Sequence, residues 1–152
     1  MTRTLLSAIL LLPAALLIGC HGTRPSNLGV RDGKLAACPE SPNCVSSQAT
    51  DEGHRVDPLS YTGTGADAIA RLAAIVRSLP RTTIVTERPD YLHAEFTSAL
   101  FRFVDDVEFL ADDTAKVIHI RSASRLGTSD LGVNGQRIEL IRKRWRETAP
   151  PS

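Results

Sequence analysis

His93, Asp106 and His119 fall on the outward-facing side of three strand-like runs. Two imidazoles and a carboxylate are the groups that zinc binding or acid–base proton transfer uses. If the short hairpins take their simplest register, the three lie opposite one another across neighbouring strands. The plainer reading is a solvated sheet face, with Glu95, Arg102, Glu108 and Arg121 forming cross-strand charge pairs. Asp105 breaks the pattern, because it falls on the apolar side between Phe103 and Val107. A carboxylate there needs donors or a cation, since an unpaired buried charge costs several kcal/mol. Arg121, Arg125 and Arg137 are its natural partners. Asp105, Asp106 and Glu108 are therefore placed to converge with Arg121, Ser122, Ser124, Arg125, Asp130, Asn134 and Arg137 where a strand hands over to a helix. Arginines and hydroxyls suit a small polar or anionic ligand, and a helix N-terminus at Asn134 favours an anion. The alternative is a loop held in shape by its own hydrogen bonds.

The elements that must hold these residues are legible from periodicity. Thr64-Gly65-Ala66-Asp67 opens a helix with Ile69, Leu72, Ala73, Val76 and Leu79 on one stripe, and Pro80 stops it. Four strand-like runs follow, at Thr82–Glu87, Tyr91–Ser98, Arg102–Leu110 and Thr114–Ser122. Connections this short force antiparallel neighbours. A last helix runs from Asn134, a plausible N-cap, to Glu147, with Ile138, Ile141 and Trp145 inward. Alternation places Leu92, Ala94, Phe96, Phe101, Phe103, Val107, Phe109, Ile118 and Ile120 in the core. The expected fold class is α+β: a single four-stranded antiparallel sheet with helices packed on one face.

The 152 residues, 42% hydrophobic and 23% charged, suit one globular domain and exclude a polytopic membrane protein. A formal charge of +1, with one Trp, two Tyr and four Phe, offers neither a basic field nor a stacking platform, so nucleic acid is not an expected partner. Nucleophile-elbow, zincin and phosphate-loop motifs do not occur. Ser46 and Ser47 have no nearby base in the sequence and read as turn residues. No catalytic residue is assigned and no cofactor is expected.

The first twenty residues pair Arg3 with an apolar run from Leu5 to Ile18, shorter than the roughly 20 residues a bilayer span needs. The run closes on Leu17-Ile18-Gly19-Cys20, which resembles the lipobox of bacterial lipoproteins. That resemblance implies a signal peptide over 1–19, acylation of Cys20 and attachment to a membrane of the bacterial cell envelope, facing the periplasm. His21, after the Cys, favours the outer over the inner membrane. Residues 20–37 contain Gly, Pro and Ser without period and read as a flexible tether, ahead of a domain over 38–148 and a tail over 149–152. Export places Cys38 and Cys44 in an oxidising compartment, where the Pro-rich turn between them suits a disulfide. Their spacing fits neither a zinc knuckle nor Cys-x-x-Cys.

Three segments in order carry a second resemblance: Cys38 to Ser47, Phe103 to Phe109, and Arg121 to Asn134. They are similar to the bacterial and plastid family called domain of unknown function 1499, from about Leu28 to Trp145. That resemblance implies one envelope domain and no particular reaction. The expected function is that of an anchored envelope lipoprotein binding a small polar or anionic envelope ligand. The alternatives are a module docking on another envelope protein, and an uncharacterised hydrolase. The basic residues of the last helix offer a further contact, with anionic lipid.

Overall fold

Thr64 caps the first helix, α1 (Gly65–Arg77), by accepting the Asp67 N–H at 3.1 Å while its own hydroxyl donates to the Asp67 carboxylate at 2.7 Å. Such reciprocal capping is worth about 1 kcal/mol. Glycine at the position after the cap leaves room for the turn that carries Asp113. A Cβ at Gly65 would stand 2.7 Å from Asp113 Oδ2 and 3.0 Å from the Ala111 Cβ. The apolar stripe then buries Ile69, Leu72, Ala73 and Val76, each larger side chain contributing about 1.5–3 kcal/mol of burial. This computed structural model describes residues 22–148. The expected signal peptide over 1–19, Cys20 and the 149–152 tail lie outside the described residues.

The sheet is antiparallel and larger than the expected four strands. Its elements are β1 (Cys44–Ser46), β2 (Leu59–Ser60), β3 (Thr82–Arg88), β4 (Tyr91–Thr97), β5 (Val104–Asp112) and β6 (Val117–Ser124), followed by α2 (Val133–Glu147). The order is β1-β6-β5-β4-β3, with β2 also pairing β6. The two added strands are too short to show alternation in sequence, and they cover the free edge of β6. The protein is thus α+β, one antiparallel sheet of five to six strands with two helices packed against it.

Both helices lie on one face. Leu92, Ala94, Val107, Phe109, Ile118 and Ile120 point towards Leu72, Val76, Ile138, Ile141 and Trp145 in one cluster. Phe101 and Phe103 do not join it: they are 64% and 41% exposed, because the β4–β5 connection spans Ser98–Phe103 and is longer than the expected strands allowed. Arg102 lies in the same connection, at φ 59° and exposed, and so belongs to neither sheet face.

The second face is not solvated. His93, Asp106, Glu108 and Arg121 are all buried, and residues 22–36, part of the 20–37 stretch expected to be a tether, run across this face. Leu35 packs with Tyr91 and Leu110, and its N–H donates to Gln48 Oε1 at 2.9 Å. The Gly29 N–H donates to Glu108 Oε1 at 2.7 Å, from a φ of 101° that glycine adopts without strain. The segment is a strap across the sheet. Its partners are side chains far away in the chain, which no local pattern could reveal.

Candidate functional site

Strand β5 presents Asp105, Asp106 and Glu108, and the pleat separates them. Asp105 pairs with Ser124 and faces the helices; Asp106 pairs with Ala123 and Glu108 with Arg121, facing the strap. The ten residues expected to converge therefore form two clusters on opposite faces of the sheet.

On the helix side, Arg137 reaches back from the first turns of α2. Its guanidinium pairs with Asp105 and donates to Ser122 Oγ at 3.0 Å and Asn134 Oδ1 at 2.6 Å. Ser122 Oγ also donates to Asn134 Oδ1 at 2.5 Å. Asn134 Nδ2 donates to Asp130 Oδ2 at 2.7 Å, and to Ser124 Oγ and the Asn43 carbonyl at 3.0 Å each. Asn134 is not the N-cap: Gly132 is, and Asn134 lies inside the helix, fully buried. The capping work falls to Asp130, whose carboxylate accepts the Gly132 N–H at 2.9 Å and the Asn134 N–H at 2.8 Å. Burial alone would raise the Asp130 carboxyl; those N–H donors outweigh it and hold it below its ordinary value. Each polar group in this cluster has a partner, so it fastens the 125–132 loop to α2.

The same cluster seats the disulfide loop. Cys38 and Cys44 are bonded, with Cα atoms 5.6 Å apart. Between them, Asn43 donates from Nδ2 to the Gly127 carbonyl at 2.6 Å, and its own carbonyl accepts the Ser124 N–H at 3.0 Å.

On the strap side, Asp106 accepts a two-pronged contact from Arg125, at 2.7 Å from Nε and 2.8 Å from the terminal nitrogen. His93 Nε2 lies 2.8 Å from the same carboxylate. Burial pushes the Asp106 carboxyl up, but the hydrogen bonds from Arg125 and His93 prevail and hold it below the usual carboxylate range. Arg125 also pairs with Glu95, which Arg24 of the strap reaches at 2.9 Å. Glu108 is fully buried; besides Gly29 it accepts the Tyr91 hydroxyl at 2.7 Å, and Arg121 stands 3.4 Å away. Burial, then the bond to Glu108, drives the Tyr91 hydroxyl well above its ordinary pKa. Arg121 Nε has no partner among the described residues.

The expected row of His93, Asp106 and His119 does not form. Strands β5 and β6 run on past the expected turn, so His119 pairs with Leu110 and His93 with Glu108. Only His93 and Asp106 meet, diagonally. No group of three or more His, Cys, Asp or Glu among the described residues could hold a metal. His119 instead stands 3.3 Å from Ser47 Oγ through Nδ1, a base the sequence had not shown beside that serine. Ser47 Oγ accepts the Ile120 N–H at 2.8 Å, and His119 Nε2 is 3.9 Å from Asp112, beyond hydrogen-bond range. The trio ties β1 to β6 and lacks the geometry of a catalytic relay.

Of the functional set, sequence reasoning missed Arg24, Gly29 and Tyr91. The glycine between Leu28 and Val30 was the sole local signal, and a weak one.

An α+β sheet domain with a small disulfide loop buttressing its β6–α2 passage is what the two clusters define. The chain belongs to the family described as protein of unknown function (DUF1499), whose match covers residues 34–144. That span takes in the whole sheet but begins after most of the strap. No curated protein matches the chain.

Proposed function

We propose that this protein is a membrane-anchored envelope lipoprotein that works by docking, not by enclosing a small anion. The observation that carries the choice is the pairing on β5. The guanidinium groups offered to an anionic ligand are already opposed by carboxylates, Arg137 by Asp105, Arg125 by Asp106 and Glu95, and Arg121 by Glu108. A ligand would have to displace those carboxylates from buried positions. Anchoring is supported by Arg3, the apolar run and the Leu17-Ile18-Gly19-Cys20 box, and the Cys38–Cys44 bond suits an oxidising compartment. One acyl chain holds a protein only marginally, whereas several on one residue hold it stably.

A second reading keeps one observation in its favour: the Arg121 Nε, enclosed and unpartnered among the described residues, is a donor suited to a small anion. Two measurements separate the readings. Mass analysis of the membrane-extracted protein should show an acylated N-terminal Cys20; an intact Met1 would end the anchoring reading. A thermal-shift series with phosphate, sulfate and sugar acids should leave Tm unchanged. An anion-specific rise abolished by Arg121→Lys would favour the pocket.

A further inference from the structure

The antiparallel register gathers three connections at one end of the sheet. Thr97 pairs with Val104 and Asp105 with Ser124, so the 98–103 connection and the 125–132 loop emerge side by side. These carry the most exposed of the large apolar side chains among the described residues: Leu131 at 89%, Leu100 at 78% and Phe101 at 64%, with Phe103 and Leu126 in the same loops and Val133 at the start of α2. Phe101 and Phe103 pack ring to ring, 5.6 Å between centroids, yet stay outside the core. Soluble surfaces rarely gather so many large apolar groups on adjacent loops without a partner. Exposed Arg81 and Arg102 lie at the same end, on the turn before β3 and within the β4–β5 connection.

The strap says what covers this end. It crosses the second face and arrives at Gly22 beside the same loops: a Cβ there would stand 3.0 Å from the Arg125 Cβ and 3.1 Å from Leu126 Cγ. Cys20 is two residues upstream, so an extended backbone keeps it within about 7 Å of Gly22. An acyl group on Cys20 would enter the bilayer beside Leu126.

We propose that the Leu100–Phe103 connection, the 125–132 loop and Val133 at the start of α2 form a membrane-docking end, with their apolar side chains sunk into the interface of an anionic bilayer and Arg81 and Arg102 at its headgroups. The inference rests on the anchoring reading above. It specifies how the domain stands: sheet end down, with the β5–β6 turn and the last turns of α2 pointing away. The basic residues of α2 are thus not the lipid contact; Arg142, for one, is held by the carbonyls of Asp57, at 2.5 Å, and Pro58, at 3.0 Å.

The test uses the full chain, exported and extracted from membranes, then reconstituted into phosphatidylcholine–phosphatidylglycerol vesicles with brominated acyl chains. Phe101→Trp reports on the docking end, Ala115→Trp on the opposite turn, and the native Trp145 is common to both. Brominated lipid should quench the Phe101→Trp signal at least about twofold more than that of Ala115→Trp. Equal quenching, or none, overturns the docking. A blue-shifted but unquenched Trp at 101 overturns it too, in favour of a second protein copy covering the end. The mass of the N-terminal peptide keeps the two readings apart. With Cys20 unmodified, quenching at 101 leaves the docking standing without the anchor, and its absence removes both.

Discussion

Asp105 and Asp106 are consecutive in the chain, yet their carboxylates lie on opposite faces of the sheet and are neutralised by different arginines, Arg137 of α2 and Arg125 of the loop that precedes it. Both salt bridges pull the β6–α2 passage against β5, one from above the sheet and one from below. That passage is therefore clamped through its flanking residues, whatever the exposed residues between them do.

Removing one partner of such a bridge strands the other. Arg137→Ala leaves Asp105 buried without a cation and should cost about 3–5 kcal/mol in urea denaturation. Replacing both, as Asp105→Leu with Arg137→Met, should cost clearly less than Arg137→Ala alone, because no charge is left stranded.

Acid should unlock the strap side. Asp106 and Glu95 have folded pKa values below their unfolded references of 3.8 and 4.5. Burial raises both, and the Arg125 contact is the larger of the opposing influences that overcome it. Groups depressed in this way contribute stability that is complete above the unfolded values and disappears as pH falls through the folded ones. These two groups should thus leave the urea midpoint unchanged from about pH 7 to 5 and lower it below about pH 4. In Arg125→Ala the protein should be weaker throughout, with a shallower acid limb.

Reduction of Cys38–Cys44, with a sequence separation of 6, should cost about 2 kcal/mol in the chain-entropy model. Because Asn43 holds both Ser124 and Gly127, the same reduction should speed amide exchange at Ser124. A change confined to residues 38–44 would mean that the loop does not buttress its neighbour.

The strap makes its own prediction in hydrogen exchange. The Gly29 and Leu35 amides, bonded to Glu108 and Gln48, should be protected, while the exposed Thr23 amide should exchange freely. Rapid exchange at Gly29 would restore the picture of a loose tether.

Much of the fold was legible because its elements are long enough to show a period. The stripe Ile69, Leu72, Val76 and the alternation Leu92, Ala94, Phe96 each placed their residues on the face they occupy. Strands of two or three residues such as β1 and β2 show no period, and they went unseen. The β5–β6 turn failed for another reason. Ala111-Asp112-Asp113 has turn composition, but Ala111 and Asp112 remain in the ladder and the reversal comes at Asp113–Lys116, which moves His119 away from Asp106. The odd placement of Asp105 was readable as a demand for an arginine; which arginine answers it depends on where α2 lands. The Arg125 bridge and the strap depend on tertiary contact throughout, and composition alone cannot distinguish a glycine that bends a docked segment from one that loosens a free one.

A docked strap also sets the domain's freedom of movement. An anchor ahead of Gly22 would be a leash only two residues long, too short to let the body tumble above the lipid or bridge the gap to an opposing membrane. Encounters would then be a two-dimensional search by lateral diffusion, with one fixed aspect of the domain turned towards whatever approaches.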